Sequence, residues 1–114
     1  MREPWQPTAA EIKLVDVLNA LADPIRLAIV ARLVDLGSEN CGDINSDMDV
    51  HKSTMSHHYR VLREAGVTLT VVQGRQRLVS LRRDDLDARF PGLLDSVLAA
   101  VADQGRPVES EPSA

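Results

Sequence analysis

Between Lys52 and Leu81 the chain changes its hydrophobic period without a pause, and this constrains the fold more than any other feature. Met55, Tyr59, Leu62 and Ala65 recur every three or four residues, so at 100° per residue they gather on one side of a helix spanning Lys52 to Ala65. Ser53, Ser56, His57, Arg60 and Glu64 fall on the opposite side, with His58 at the edge of the apolar face. Gly66 stops the helix. Val67 to Val72 and Arg77 to Leu81 follow, β-branched and apolar enough for two strands, with Gln73-Gly74 as a tight turn between them. An amphipathic helix that runs straight into a short hairpin needs further helices to cover both.

Those helices are legible on either side. Thr8 with Glu11 three residues later has capping-box spacing, and Ile12, Val15, Leu18 and the Leu21-Ala22 pair follow at helical intervals. Asp23-Pro24 closes this helix and opens the next, because the residue before proline avoids the α region while proline suits a first helical position. Ile25, Ile29, Leu33 and Leu36 form the inward stripe of the second helix, and Gly37 ends it. Gly42 to Met48 predicts a short third helix with Ile44 and Met48 inward, then a turn at Asp49-Val50-His51. Beyond the hairpin, Asp84 and Asp85 suit the start of a helical turn within Arg82 to Arg89, Pro91 interrupts, and Leu94, Val97, Leu98 and Val101 mark a last amphipathic helix. Trp5, Tyr59 and Phe90 are the only aromatic residues, so the core must be aliphatic, which favours helices over a β-sandwich. The order α-α-α-α-β-β-α, mainly α with a small β-hairpin wing, describes a winged helix-turn-helix, in which the second helix of the pair enters the major groove of DNA. Met1 to Pro7 reads as a loose N-terminal arm, residues 8–103 as the domain, and Gln104 to Ala114 as a disordered tail.

The net charge of −4 argues against a polyanionic partner, but its distribution reverses that impression. Seven cations (Lys52, Arg60, Arg63, Arg75, Arg77, Arg82 and Arg83) face one anion, Glu64, between His51 and Arg83, a local +6. No apolar run approaches the ~18 residues of a membrane span. Met1 to Thr8 lacks the apolar stretch of a secretory leader, and a single cysteine, Cys41, cannot form an internal disulfide. A reduced, cytoplasmic protein is expected. No Gly-rich phosphate loop, nucleophile elbow or metalloprotease motif occurs, and no carboxylate pair is set apart as acid and base, so neither an enzyme nor a cofactor is expected.

The chain resembles the ArsR/SmtB family of bacterial winged-helix repressors. The matching residues are Leu21-Ala22-Asp23-Pro24-Ile25-Arg26-Leu27, then Ser56-His57-His58-Tyr59-Arg60-Val61-Leu62-Arg63-Glu64-Ala65-Gly66, then Gly74-Arg75 at the wing and Val79-Ser80-Leu81 in its return strand. The resemblance covers roughly residues 10–100. It implies a homodimeric repressor of double-stranded operator DNA, released by a small-molecule inducer of unknown identity that changes the dimer's geometry. It places the dimer interface on the first and last helices, here Ile12, Val15, Leu18, Leu94, Val97, Leu98 and Val101. It also marks Lys52, Ser53, Thr54, Ser56, His57 and Arg60 of the recognition helix for DNA. The serines and threonine are short enough to admit base edges and phosphates, His57 can donate or accept, and Lys52 and Arg60 suit phosphates. Arg75 at the wing tip suits the negative potential of a minor groove. Arg77 is a weaker candidate because strand alternation sets it in phase with Val79 and Leu81, and Arg82 and Arg83 are read as surface charges.

Two departures from the family's pattern matter. The family usually has Ser or Thr capping the recognition helix and Gln at the position of Lys52; here either His51 caps weakly or Ser53 caps a later start. The family's metal-sensing members carry a Cys-x-Cys pair where this chain has Asn40 and Gly42, with Cys41 between them, and one thiolate is too few for a closed site. A second family site uses Asp and His pairs of the last helices, and residues 84–103 hold no His, while Asp84, Asp85, Asp87 and Asp95 remain as carboxylates. His57 and His58 are adjacent and lack the i, i+4 spacing of a two-histidine site. No metal is expected. Two alternatives stay open from the sequence: a winged-helix module that binds a protein and not an operator, and a thiol or metal sensor that uses Cys41.

Overall fold

Pro24 and Gly66 set the two boundaries around which the chain is arranged. The computed structural model describes residues 4–36, 38–40 and 51–104. A single 3-10 turn, Ala9–Glu11, precedes α1 (Leu14–Leu21) and α2 (Pro24–Leu36). Strand β1 (Ser38–Asn40) follows, then α3 (Lys52–Ala65), the hairpin β2 (Thr68–Gln73) and β3 (Gln76–Leu81), and finally α4 (Arg83–Arg89) and α5 (Leu93–Gln104). The third helix expected at Gly42 to Met48, Cys41 and the tail from residue 105 lie outside the described residues. None of the described helices is long and apolar enough to cross a membrane.

The first helix is shorter than its periodicity predicts. Thr8 starts a 3-10 turn, with its amide donating to the Glu11 carboxylate at 2.8 Å, and the backbone then extends at Ile12 and Lys13 before α1 begins. This break turns Ile12 into the core, where it is 1% exposed, and rotates the buried face of α1 to Val17, Ala20 and Leu21. Val15 is left 71% exposed and Leu18 46%. Asp23 caps α2 as its sequence position implies: its carboxylate accepts the amides of Ile25 at 2.9 Å and Arg26 at 3.1 Å. Ile29, Val30 and Leu33 of α2 are buried, and Ile25 is partly covered. In α3 the buried residues are Met55, His58, Tyr59, Leu62 and Ala65, the expected face.

The hairpin belongs to a three-stranded antiparallel sheet of order β1-β3-β2. Thr70 lies opposite Val79 and Gln73 opposite Gln76, so the two-residue turn is Gly74-Arg75, one residue later than Gln73-Gly74. Only Gly74 has positive φ, +62°, the type II′ pattern with glycine first. Strand β1 pairs Ser38 with Ser80 and Asn40 with Leu78; its three polar residues give no alternation from which a strand could be read. The arm is also not loose where it is described: Pro7 is buried, and Trp5, Gln6 and Pro7 are hydrogen-bonded to α3, β2 and Arg82.

Gly66 ends α3 at φ +87°. Its amide donates to Arg63 at 3.1 Å and the Val67 amide to Leu62 at 3.0 Å, the two bonds of a Schellman motif. A Cβ built on Gly66 would lie 2.5 Å from Cγ1 of Ile12, whereas one on Gly74 meets nothing within 4 Å. Gly74→Ala should therefore cost about 1 kcal/mol, from left-handed backbone alone. Gly66→Ala should cost about 2–4 kcal/mol, because overpacking against Ile12 adds to that strain. Urea melts of the two variants compare the costs directly, and equal losses would remove the Ile12 contact as a cause.

Candidate nucleic-acid interface

The outward face of α3 starts at His51, which takes the N-cap position with extended backbone (φ −60°, ψ 142°) and makes no side-chain capping bond. Its carbonyl accepts the Met55 amide at 3.0 Å. The helix therefore begins at Lys52, and Ser53 lies in the first turn instead of capping it. Ser53, Thr54, Ser56, His57 and Arg60 are all exposed; of Lys52 only the backbone is described.

Arg77 is brought to this face by the hairpin. Ser53, Ser56, His57, Arg60, Arg63 and Arg77 line one open cleft of about 310 Å³ between α3 and the wing. Among the described residues, three guanidinium groups and no carboxylate contribute to its wall. Arg77 thus belongs to the cleft despite its strand phase, while Arg75 sits apart, exposed at the wing tip beside Gly74. Arg63 was not singled out by the sequence. The signal was present: seven residues after Ser56, it lies ~20° from it around the helix. Its Nε donates to the Trp5 carbonyl at 3.1 Å, and a guanidinium nitrogen lies 3.9 Å from Glu64.

Neighbouring acids offset the remaining cations of the basic window. Arg82 meets Asp85 at 3.0 Å, with its side chain largely buried, and also donates to the Pro7 carbonyl at 2.7 Å. Arg83 pairs with Asp95 and lies 3.6 Å from Asp87. Glu64 lines a different cleft with Asp16 and Asn19, between α1 and α3. Charge is thereby sorted: acids pair with the arginines at the base of the wing, and the exposed cations Arg60, Arg75 and Arg77 stand on α3 and the hairpin. Among the described residues, no three His, Cys, Asp or Glu side chains cluster as metal ligands would.

Behind the outward face, His58 joins α3 to the α1–α2 corner. Arg26 donates from Nε to the Ala20 carbonyl at 2.6 Å and from Nη1 to Nδ1 of His58 at 3.1 Å. A guanidinium can only donate, so Nδ1 of His58 is the unprotonated acceptor. Asp23 lies 3.8 Å from the same nitrogen. Burial, first, and the charges of Arg26 and His57 hold the His58 ring below the ordinary imidazole pKa, against the opposing pull of Asp23.

The expected dimer residues divide. Ile12 and Leu94, 1% and 2% exposed, are part of this chain's own core and present no surface to a partner. Break and bend account for both: the extended step at Ile12 and Lys13 turns one inward, and Pro91-Gly92 redirects α5 so that Leu94 faces the core. Val15 and Leu18 are exposed, while Val97, Leu98 and Val101 are half-buried. Leu18, Leu21, Leu27, Val97, Ala100 and Val101 line an apolar groove of about 270 Å³.

A helix carrying small polar and cationic side chains outward, followed at once by a hairpin with arginines at its tip and on its inner strand, defines a winged-helix DNA-binding module. Comparison with known proteins agrees. A family model described as a helix-turn-helix domain matches residues 21–72. The uncharacterized HTH-type transcriptional regulator YceK of Bacillus subtilis is 39% identical over 82 residues, covering 71% of this chain and 82% of that protein. The HTH-type transcriptional regulator CmtR of Mycobacterium tuberculosis is 32% identical over 94 residues, 82% of this chain and 79% of that one. A crystal structure of an ArsR family transcriptional regulator superposes with a TM-score of 0.61 at 25% identity, over 80% of this chain and 93% of that chain. The transcriptional repressor BigR from Xylella fastidiosa shares the fold at 24% identity, TM-score 0.63, over 83% and 89%. The chain belongs to the ArsR family of winged-helix transcriptional regulators, whose members are not enzymes.

The His58 geometry sets a pH dependence. Well above pH 6.5 the ring is neutral in both the folded and the unfolded chain. As pH falls, the unfolded chain takes up the proton first, so stability declines with acid until the folded-state pKa is passed. Denaturant melts between about pH 7.5 and about pH 5 should show this decline, and His58→Gln, which keeps an acceptor for Arg26, should flatten it. Parallel curves for both proteins would exclude His58 as the source.

Proposed function

We propose that this chain is a homodimeric, sequence-specific repressor acting in the cytoplasm on double-stranded operator DNA. Helix α3, residues 52–65, lies in the major groove, and the wing around Arg75 follows the minor groove. The observation that carries this reading is the cleft where Ser53, Ser56 and His57 of α3 meet Arg60, Arg63 and Arg77 with no acid among them. Small hydroxyl side chains admit close approach to bases, and the surrounding guanidiniums suit the flanking phosphates. Repression is supported by the repressor named among the structural neighbours. No metal enters this reading, since Asn40 and Gly42 stand where the family's sensing thiolates would be.

Dimerisation is supported by the apolar surface left on α1 and α5. Leu14, Val15 and Leu18 are exposed large apolar residues on one short helix, beside the groove that Leu18 shares with Val97 and Val101. A two-fold pairing of this surface covers it and sets two recognition helices for a near-palindromic site. An inducer acts by changing the angle between the two protomers.

Two measurements test the reading. Fluorescence anisotropy against duplex fragments from the protein's own upstream region, across a salt series, should give tight binding to one fragment with two chains per site. Arg60→Ala should weaken that binding and lower the slope of log K against log salt by about 0.9, the share of one phosphate contact. An unchanged slope would take Arg60 out of the footprint, and equal binding to every fragment would favour a protein partner instead. Leu18→Glu should convert the dimer to a folded monomer in sedimentation; a dimer that survives it would move the interface elsewhere.

A further inference from the structure

Residues Trp5, Gln6 and Pro7 bond to three places around the candidate DNA surface: α3, β2 and the residue after β3. The Trp5 carbonyl accepts from Nε of Arg63, in the last turn of α3. The Gln6 side chain donates from Nε2 to the Thr70 carbonyl at 3.0 Å and accepts the Thr70 amide at 2.6 Å through Oε1. The Pro7 carbonyl accepts from Arg82, the residue that follows β3. Thr70 sits in β2, the outer strand of the hairpin, so both of its main-chain groups would otherwise lack a ladder partner. A primary amide offers a donor and an acceptor in one plane, as a neighbouring strand would.

We infer that Gln6 is a positioning residue of the DNA surface, fixing the wing relative to the recognition helix. This rests on the DNA reading above and deepens it. The recognition helix and the outer wing strand are joined covalently by Gly66 and Val67 alone, so the angle of the wing depends on the non-covalent contacts between the two. The N-terminal segment adds a polar tie between them: Trp5 is bonded to α3, and Gln6, the next residue, to the middle of β2. Arg60 and Arg63 stand on one side of that connection, Arg75 and Arg77 on the other. Removing the Gln6 amide releases the outer strand and moves the wing arginines relative to the helix. An arm that merely blankets the strand edge would raise stability without altering how the two halves meet DNA.

The test is a double-mutant cycle on the full chain with Gln6→Ala, Arg75→Ala and the double variant. The probe is a fluorescein-labelled duplex selected by the wild-type chain from a random-sequence pool, titrated across a salt series at a temperature where circular dichroism shows every variant folded. Gln6→Ala should weaken binding about fivefold, the scale of a lost hydrogen bond, and lower the salt slope toward that of Arg75→Ala. The double variant should lose less than the sum of the two single losses, because Gln6 acts through the wing arginines and with Arg75 gone only Arg77 remains to be displaced. Additive losses, or a lowered Tm with unchanged affinity and slope, reduce Gln6 to an edge cover and overturn the inference. If Gln6→Ala does not fold, Gln6→Asn, whose amide sits one carbon shorter, carries the same cycle. A wild-type chain that selects no duplex removes the DNA reading and this inference together; one that binds, with Arg60→Ala impaired and Gln6→Ala intact, removes only the inference.

Discussion

A side chain at Gly66 has nowhere to go, and much of the molecule is arranged around that fact. The residue closes the recognition helix in the left-handed conformation, and its missing Cβ leaves the space that Ile12 fills. One step later Val67 is fully buried, its amide turned back to Leu62. The strand that follows therefore starts from a fixed point in the core. Helix α3, the hairpin that follows it and the N-terminal segment are all referenced to this position. Ile12 in turn requires the extended backbone between the 3-10 turn and α1, which is why the first helix is split.

The polar counterpart of this packing is a set of arginines bound to main-chain carbonyls. Arg63 holds Trp5, Arg82 holds Pro7 and Arg89 holds Ile12, at 3.1, 2.7 and 2.7 Å. Together they lay the N-terminal segment along α3, the hairpin and α4. A guanidinium suits this work because its several donors reach a carbonyl without requiring a matched partner in sequence. The arginines of this chain thus serve two ends. Those at positions 26, 82, 83 and 89 tie elements together or meet acids, while Arg60, Arg75 and Arg77 stand exposed where the helix and wing present themselves. Arg63 does both, bonded to the arm and lining the cleft.

How much of this was legible follows from what leaves a mark in sequence. The faces of α3 were readable because Met55, Tyr59, Leu62 and Ala65 keep helical spacing, and Asp23 because a cap before proline has a local signature. The turn was misplaced by one residue because Gln73-Gly74 and Gly74-Arg75 are both acceptable hairpin dipeptides; only the pairing of Gln73 with Gln76 decides. Strand β1 left no mark, since Ser38, Glu39 and Asn40 become a strand through what β3 offers them. The docked arm left none either, because carbonyls of Trp5 and Pro7 are common to every residue type. Arg77 was underrated for a related reason. Alternation assigns a side of the strand, but a long side chain beside a helix can still reach the cleft.

The Asp23, Arg26 and His58 cluster gives the recognition helix its bearing on the rest of the protein. Arg26 bonds the carbonyls of Asn19 and Ala20 at the end of α1, while Asp23 holds the first amides of α2. The same guanidinium then reaches His58, on the flank of α3 next to His57, whose ring centroid is 5.6 Å away. His58 is neutral in this arrangement, so its lone pair is available to Arg26, and protonation would set two cations face to face. Helices α1 and α3 cannot slide past one another without breaking a bond in this cluster or carrying α2 along. Leu21 and Leu27, on either side of that corner, line the apolar groove with Leu18, Val97, Ala100 and Val101. The cluster therefore ties α3 to both α1 and α2, so the outward residues Ser53, Ser56, His57 and Arg60 are carried on a helix whose position is referenced to the α1–α2 corner.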